Sequence, residues 1–325
     1  MRHIVVGGSG FTGRVLVAKL VAHGQETIIA DRVPPAQPAL ARYVPVDLTH
    51  AASLAALALA PDDIVYHFAA RQFHSGVPTR RQDRWFREVN VEGTRNLMRH
   101  LDASGVRRVV YLSTDMVYGI PARGLVRAGD PRAPIGPYGQ SKREAEDLLF
   151  GYRERGFRIT VLRPRMIVGP GRYGILTKLF ALMRHGLPVP MIGGGANCYQ
   201  MVSVFDVVSA VQMAAARGCP DIEANLGSAN PPTVRALLRG LIARAGSRSA
   251  VVPTPGSAVK AAMAGLEFVG FPLMYREQYR IADVHFVVDI EQTHERLGWR
   301  PGFSDEDMLF EAYAEYTRRA GARAD

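Results

Sequence analysis

The chain has 325 residues, 47% apolar and 22% charged, which excludes a disordered or collagen-like polymer and suits one large α/β domain or two modest ones. Forty Lys and Arg against thirty Asp and Glu give a net charge of +10, yet only four of the cations are Lys, no run of like charges forms and no nucleic-acid module accompanies them, so no nucleic-acid partner is expected. Two cysteines, Cys198 and Cys219, cannot build a disulfide framework, and a reducing cytoplasm is the expected location.

The N-terminal apolar run, Ile4 to Val6, meets Gly7, Gly8 and Gly10 at once, too short for a signal-peptide core. A helical pattern follows from about Gly13 to His23. Thr27 to Ala30 reads as a second strand, Tyr43 to Val46 as a short third, and Ile64 to Phe68 as a fourth introduced by Asp62-Asp63. Arg108 to Leu112 and Thr160 to Leu162 complete the series. Strands alternating with helices imply parallel pairing through crossovers, hence a Rossmann-type doubly wound parallel sheet of the α/β class. After Pro170-Gly171 the alternation lapses into helix-like Ile175 to His185, a triple-glycine turn at 193–195, the strand-helix piece Met201 to Ala216 and last helices near Ser304 to Arg319. The reading is a dinucleotide-binding domain over 1–170 plus 200–223 and a smaller, interleaved α/β substrate domain over 171–199 plus 224–325. No uncharged apolar stretch reaches the length of a membrane span. Ala258 to Met274, broken at Gly270 and Pro272, reads first as core or lid and second as a membrane-surface contact.

Two constellations carry chemistry. Gly7, Gly10 and Gly13 stand at G-x-x-G-x-x-G spacing between a strand and a helix, where a tight turn brings the free N–H groups of the helix to a pyrophosphate. Asp31 closes the second strand 18 residues after Gly13, placed to accept hydrogen bonds from an adenosine ribose. Its carboxylate would repel a 2′-phosphate and favours NAD over NADP, although Arg32 next to it offers a guanidinium to that phosphate. In Tyr138-Gly139-Gln140-Ser141-Lys142, phenol and ammonium are four residues apart on one helical face. The cation would lower the phenol's pKa toward a value useful for proton exchange with a substrate hydroxyl. Ser113, Thr114 and Asp115 end the strand before it, at the sheet edge where ligands of this architecture bind.

These motifs, with Asp47-Leu48, Asp63 to Ala70, Asn90 to Leu97, Ser113 to Gly119, Arg163-Pro164, Gly169 to Gly171 and Leu297 to Trp299, resemble the extended short-chain dehydrogenases/reductases, the family of NAD-dependent nucleotide-sugar epimerases and dehydratases. The resemblance covers nearly the whole chain. It implies Tyr138 as acid/base, Lys142 on the nicotinamide ribose and Thr114 on the reacting oxygen, with Ser113 as neighbour. It implies Gly7, Gly10, Phe11, Thr12 and Gly13 at the pyrophosphate, Asp31 and Arg32 at the adenosine ribose, Asp47 and Leu48 at the adenine, and Phe68, Ala69 and Ala70 beneath the cofactor. Asn90 reads as a structural hydrogen-bonding residue and His67 as a core histidine. Substrate contacts are expected from Arg71, His74, Asp115, Met116, Arg165 and Tyr199, with no metal. A homodimer through helices 84–100 and 138–155 is implied by analogy.

The departures from the family pattern bear on function. Met116 follows Asp115 where dehydratases carry a second acid, which disfavours water elimination. Asn197 to Asp206 holds no Arg for a nucleotide, and the diphosphate contact around Arg276-Glu277-Gln278 is not evident, leaving Arg165, Arg172 or Arg280 to replace it. The expectation is hydride transfer at a secondary alcohol or ketone. A nucleotide-sugar epimerase ranks first, and a net ketoreductase or alcohol dehydrogenase on an apolar, lipid-like substrate such as a long-chain 3-keto compound is the alternative.

Overall fold

The computed structural model describes residues 1–325 except 38–39, 74–75, 123, 271–272 and 322–325. In chain order the first elements are β1 (His3–Val6), α1 (Phe11–Ala22), β2 (Thr27–Asp31), β3 (Arg42–Pro45), β4 (Ile64–His67), α2 (Gln82–Arg87), α3 (Thr94–Ala103) and β5 (Arg108–Leu112). There follow β6 (Leu125–Val126), α4 (Pro137–Arg153), β7 (Arg158–Pro164), β8 (Met166–Val168), α5 (Leu176–Arg184), β9 (Val189–Ile192), β10 (Met201–Ser203), α6 (Val204–Ala216) and β11 (Ile222–Leu226). The last are α7 (Val234–Arg244), β12 (Val251–Thr254), α8 (Gly256–Phe268), α9 (Arg276–Ile281), β13 (Val287–Val288), α10 (Glu291–Leu297) and α11 (Asp305–Gly321).

Seven parallel strands form one sheet in the order β11-β7-β5-β4-β1-β2-β3. The order reverses beside β1, and in such sheets the crevice at the reversal, beyond the strands' carboxyl ends, receives the ligand. The central strands are nearly continuous apolar runs because both faces are covered. Leu16 and Leu20 of α1, Val207 and Val211 of α6 and Trp299 pack on one face; Leu97 and Leu101 of α3 with Ala145 and Leu149 of α4 pack on the other. Trp299 is fixed in the first layer by its indole N–H, which donates to Asp206 O at 3.0 Å and Ser209 Oγ at 2.9 Å.

α1 begins at Phe11, two residues before the predicted start, because Gly10 already serves as its N-cap. The predicted helix over 84–100 is α2 and α3 joined by a π-helical turn at Glu88–Gly93. The boundary expected at 223/224 falls inside β11, where Ala224 to Leu226 keep register with Leu162 to Pro164.

Three two-stranded parallel sheets, β8–β10, β9–β12 and β6–β13, accompany a second core built from α5, α7 and α11 around Phe180, Leu241 and Leu309. The α8 segment is not core. None of its thirteen residues is buried, and its two charges are spent locally, Lys260 on Asp283 and Glu267 on the Tyr279 hydroxyl. Gly270 follows the helix with φ +86°, and Pro272 lies outside the described residues. No described helix is long and apolar enough to cross a membrane.

Candidate active site

The turn after β1 demands glycine on steric grounds. Gly7 has φ +85°, and a Cβ there would stand 2.5 Å from Ala69 N; a Cβ on Gly13 would overlap the Gly7 carbonyl oxygen. The turn therefore lies flat against the backbone after β4. It presents the uncapped N-terminus of α1 to a cleft lined by Gly7, Gly10, Phe11, Thr12, Gly13, Phe68 and Ala70. Arg14, Arg172 and Lys178 reach the same cleft, and the first two each place a guanidinium 5.6 Å from the Phe11 ring centroid. A side-chain-free cradle with free N–H groups and three cations fits a dinucleotide pyrophosphate.

At the end of β2, Asp31 accepts from Ser9 N at 3.1 Å and Val33 N at 3.2 Å, so its carboxylate stands beside the glycine turn, with Arg32 exposed next to it. Asp47 accepts from Thr49 N and Oγ1; these bonds overcome the cost of burial and hold its pKa below the usual carboxylate range. Leu48 is buried beneath it.

A second cavity continues from the first over the ends of β5 and β7, lined by Thr114, Asp115, Met116, Tyr138, Arg165 and Tyr199 among others. α4 starts with Pro137 at its first position, which places Tyr138 in the opening turn, where it lines the cavity together with Thr114. Gly139 makes this approach possible, since a Cβ there would come within 2.6 Å of Met116 O. Lys142, 2% exposed, donates its ammonium to Leu112 O at 2.7 Å and sits 4.1 Å above the Tyr111 ring. Burial lowers its pKa to about 7 against the opposing pull of Glu146. Burial raises the pKa of Tyr138, and the charge that opposes this most is Arg172. The ammonium of Lys142 is held on the carbonyl that ends β5, and Arg172 is the cation that acts on the phenol against the effect of burial.

Several predicted residues are occupied elsewhere. Ser113 lines this cavity too, but its Oγ donates to Glu146 at 2.5 Å, and Glu146 also takes Arg163 at 2.8 and 3.0 Å and Arg132 at 3.1 Å, so the serine hydroxyl is engaged in a buried ionic cluster. Arg71 is not a wall of either cavity: its guanidinium bonds Trp85 O and Glu88 and stacks 4.8 Å from the Trp85 ring. His74 lies outside the described residues. Asn90, within the π turn, accepts from Arg71 N at 2.8 Å and donates to Ser141 Oγ at 2.9 Å, the structural role expected of it. His67 is fully buried against Thr94 with its pKa lowered to about 3 by burial and the charge of Lys142. Asp115 pairs with Arg165, and Tyr199 lies 4.9 Å from that guanidinium.

Glu277 was missed as a site residue. From α9 its carboxylate accepts the backbone N–H groups of Tyr138 at 2.8 Å and Gly139 at 3.0 Å, capping the helix that carries the phenol. No local pattern announces a cap supplied from a position 139 residues away.

The profile of the NAD dependent epimerase/dehydratase family matches residues 3–227. An uncharacterized protein of Sinorhizobium fredii, y4nG, is 32% identical over 96% of this chain and 78% of its own length. A 3-beta-hydroxysteroid dehydrogenase of Mycolicibacterium neoaurum is 27% identical over 97% of this chain and 91% of its own. Among solved structures, a UDP-glucose 4-epimerase of Thermotoga maritima with UDP-glucose superposes with a TM-score of 0.79 at 25% identity, covering 98% of this chain and all of its own.

Proposed function

Because the chain belongs to the NAD-dependent epimerase/dehydratase family, we propose that it is an NAD-dependent oxidoreductase that interconverts a secondary alcohol and a ketone on an apolar, lipid-like substrate. One observation carries this choice over a nucleotide sugar. The cavity that receives Tyr138 and Thr114 is walled by Met116, Met166, Ile167, Leu176, Met274 and Ile281, and of its two cations Arg165 is neutralised by Asp115 while Arg172 reaches back to Gln72 and Phe11. A nucleotide diphosphate entering here would find among the described residues only Arg172 unpaired with a carboxylate, one cation for two phosphates, whereas apolar surface would be buried favourably.

The glycine turn with Phe11 and Thr12 would hold the pyrophosphate, Asp31 the adenosine ribose, and Lys142 the nicotinamide ribose. The carboxylate of Asp31 supports NAD over NADP, since a 2′-phosphate beside it would be repelled. When bound, the dinucleotide supplies or accepts a hydride. Thr114 and Tyr138 hold the substrate oxygen between two hydroxyls, and the phenol passes the proton to or from that oxygen. The nearby charge of Arg172 favours the phenolate in the direction of oxidation. Met116 offers no acid for elimination of water. The expected dimer through α2, α3 and α4 belongs to this proposal as well.

An epimerase of nucleotide sugars is the second reading, favoured by the superposition on a UDP-glucose 4-epimerase. Purified enzyme incubated with NAD and 3β-hydroxysteroids or long-chain secondary alcohols should accumulate NADH, read by absorbance, and with UDP-glucose should yield no UDP-galactose. Interconversion of the sugars without net NADH would reverse the assignment. Tyr138→Phe should abolish turnover and leave NAD affinity within about threefold, and turnover in that variant would refute the assigned proton transfer.

A further inference from the structure

Arg165 follows directly on β7, its backbone N–H held by Leu226 O at 2.9 Å at the carboxyl edge of the sheet. Its side chain is 1% exposed. The guanidinium carbon lies 4.1 Å from the Phe286 ring centroid and 4.9 Å from that of Tyr199, while Nη1 makes the ion pair with Asp115. Nε and Nη2 are buried and have no hydrogen-bond partner among the described residues. A guanidinium carries five donors in one plane, and donors of a charged group left unmade in the interior are costly. Such a group calls for an explanation, and here the residue forms part of the wall of the cavity that also holds Tyr138 and Thr114.

We propose that Arg165 is a substrate-binding residue whose two unpartnered nitrogens, Nε and Nη2, donate to a second, uncharged oxygen of the substrate, a carbonyl or hydroxyl distinct from the one that reacts. The inference rests on the reading that an apolar alcohol or ketone enters this cavity. Asp115 fixes the ligand's charge class. Its carboxylate already cancels the guanidinium, so the pair offers an anionic group no net attraction to offset its desolvation, whereas a neutral oxygen needs only the donors. Asp115 also accepts from Thr114 Oγ1 at 3.2 Å, which ties the anchor to the residue that holds the reacting oxygen. The substrate is therefore a doubly oxygenated apolar molecule, and recognition of the second oxygen supplies selectivity that an apolar wall alone cannot, because an analogue lacking it leaves buried donors unpaired.

The test compares substrates that differ in one oxygen. A 3β-hydroxysteroid with a 17-oxo group is set against the same skeleton with a methylene at C17, and 4-hydroxytridecan-2-one against tridecan-4-ol, with NAD and wild-type enzyme. The oxygenated member of at least one pair should show a kcat/KM about ten- to a hundredfold higher. In Arg165→Lys, which keeps the charge but loses the planar donors, and in the double variant Arg165→Met with Asp115→Asn, which removes both charges, that ratio should fall to within about threefold of one. Equal rates for both members of both pairs in wild type, or a ratio that survives in either variant, would overturn the anchor while leaving the oxidoreductase reading intact. Should wild type oxidise none of the four, the oxidoreductase reading fails. The anchor is then judged on binding alone, by thermal shift of the NAD-loaded protein with the two steroids. Greater stabilisation by the 17-oxo compound, lost in Arg165→Lys, supports it, and equal stabilisation refutes it.

Discussion

Glu277→Gln isolates a carboxyl group whose burial should leave a clear thermodynamic mark. Glu277 is 2% exposed, sits against Gly136 and caps α4 by accepting from Tyr138 N and Gly139 N. Burial, with a smaller contribution from Asp83, raises its pKa from 4.5 to about 7 in spite of those two bonds. Between these values the folded protein retains a proton that the unfolded chain has released, so the stability contributed by this group is fully present below pH 4.5 and is lost as pH rises through 7. At about 1.4 kcal/mol per pKa unit, the loss from about pH 5 to pH 8 is roughly 2–3 kcal/mol. Glutamine copies the neutral carboxyl in shape and does not titrate. The difference in stability between variant and wild type should therefore move by that amount in favour of the variant over the same interval, with contributions from Lys142 and other groups cancelling. Urea unfolding of both proteins at the two pH values, with the slope checked for constancy, measures it. A difference that does not change with pH, or that moves in favour of wild type as pH rises, would refute the argument that desolvation outweighs the helix cap.

Asp31→Ala should bring the affinities for NAD and NADP closer together by about tenfold, measured by titrating both dinucleotides; an unchanged ratio would transfer discrimination to Arg32. Gly13→Ala places a methyl group on the Gly7 carbonyl and should cost about 1–3 kcal/mol in urea unfolding and abolish dinucleotide binding. Glu146→Gln leaves the buried Arg163 short of a counter-charge and should destabilise by about 3–5 kcal/mol, with a loss under about 1 kcal/mol arguing that the cluster relaxes around it.

What the sequence by itself determined is local in origin. The glycine spacing, the apolar runs of the strands and the i, i+4 placement of Tyr138 and Lys142 express backbone sterics and helical geometry over a dozen residues or fewer, and the sheet follows from their alternation. The tertiary structure decided which side chains face one another. Ser113 turns to Glu146, 33 positions on, Arg71 to Trp85 and Glu88, Arg165 to Asp115, 50 positions back, and Glu277 to a helix start 139 positions earlier. A guanidinium or carboxylate has many partners of suitable charge in a chain with forty cations and thirty anions, and nothing in its neighbours along the chain selects one. Packing selects it, by leaving each buried charge only the partner that the fold brings within reach.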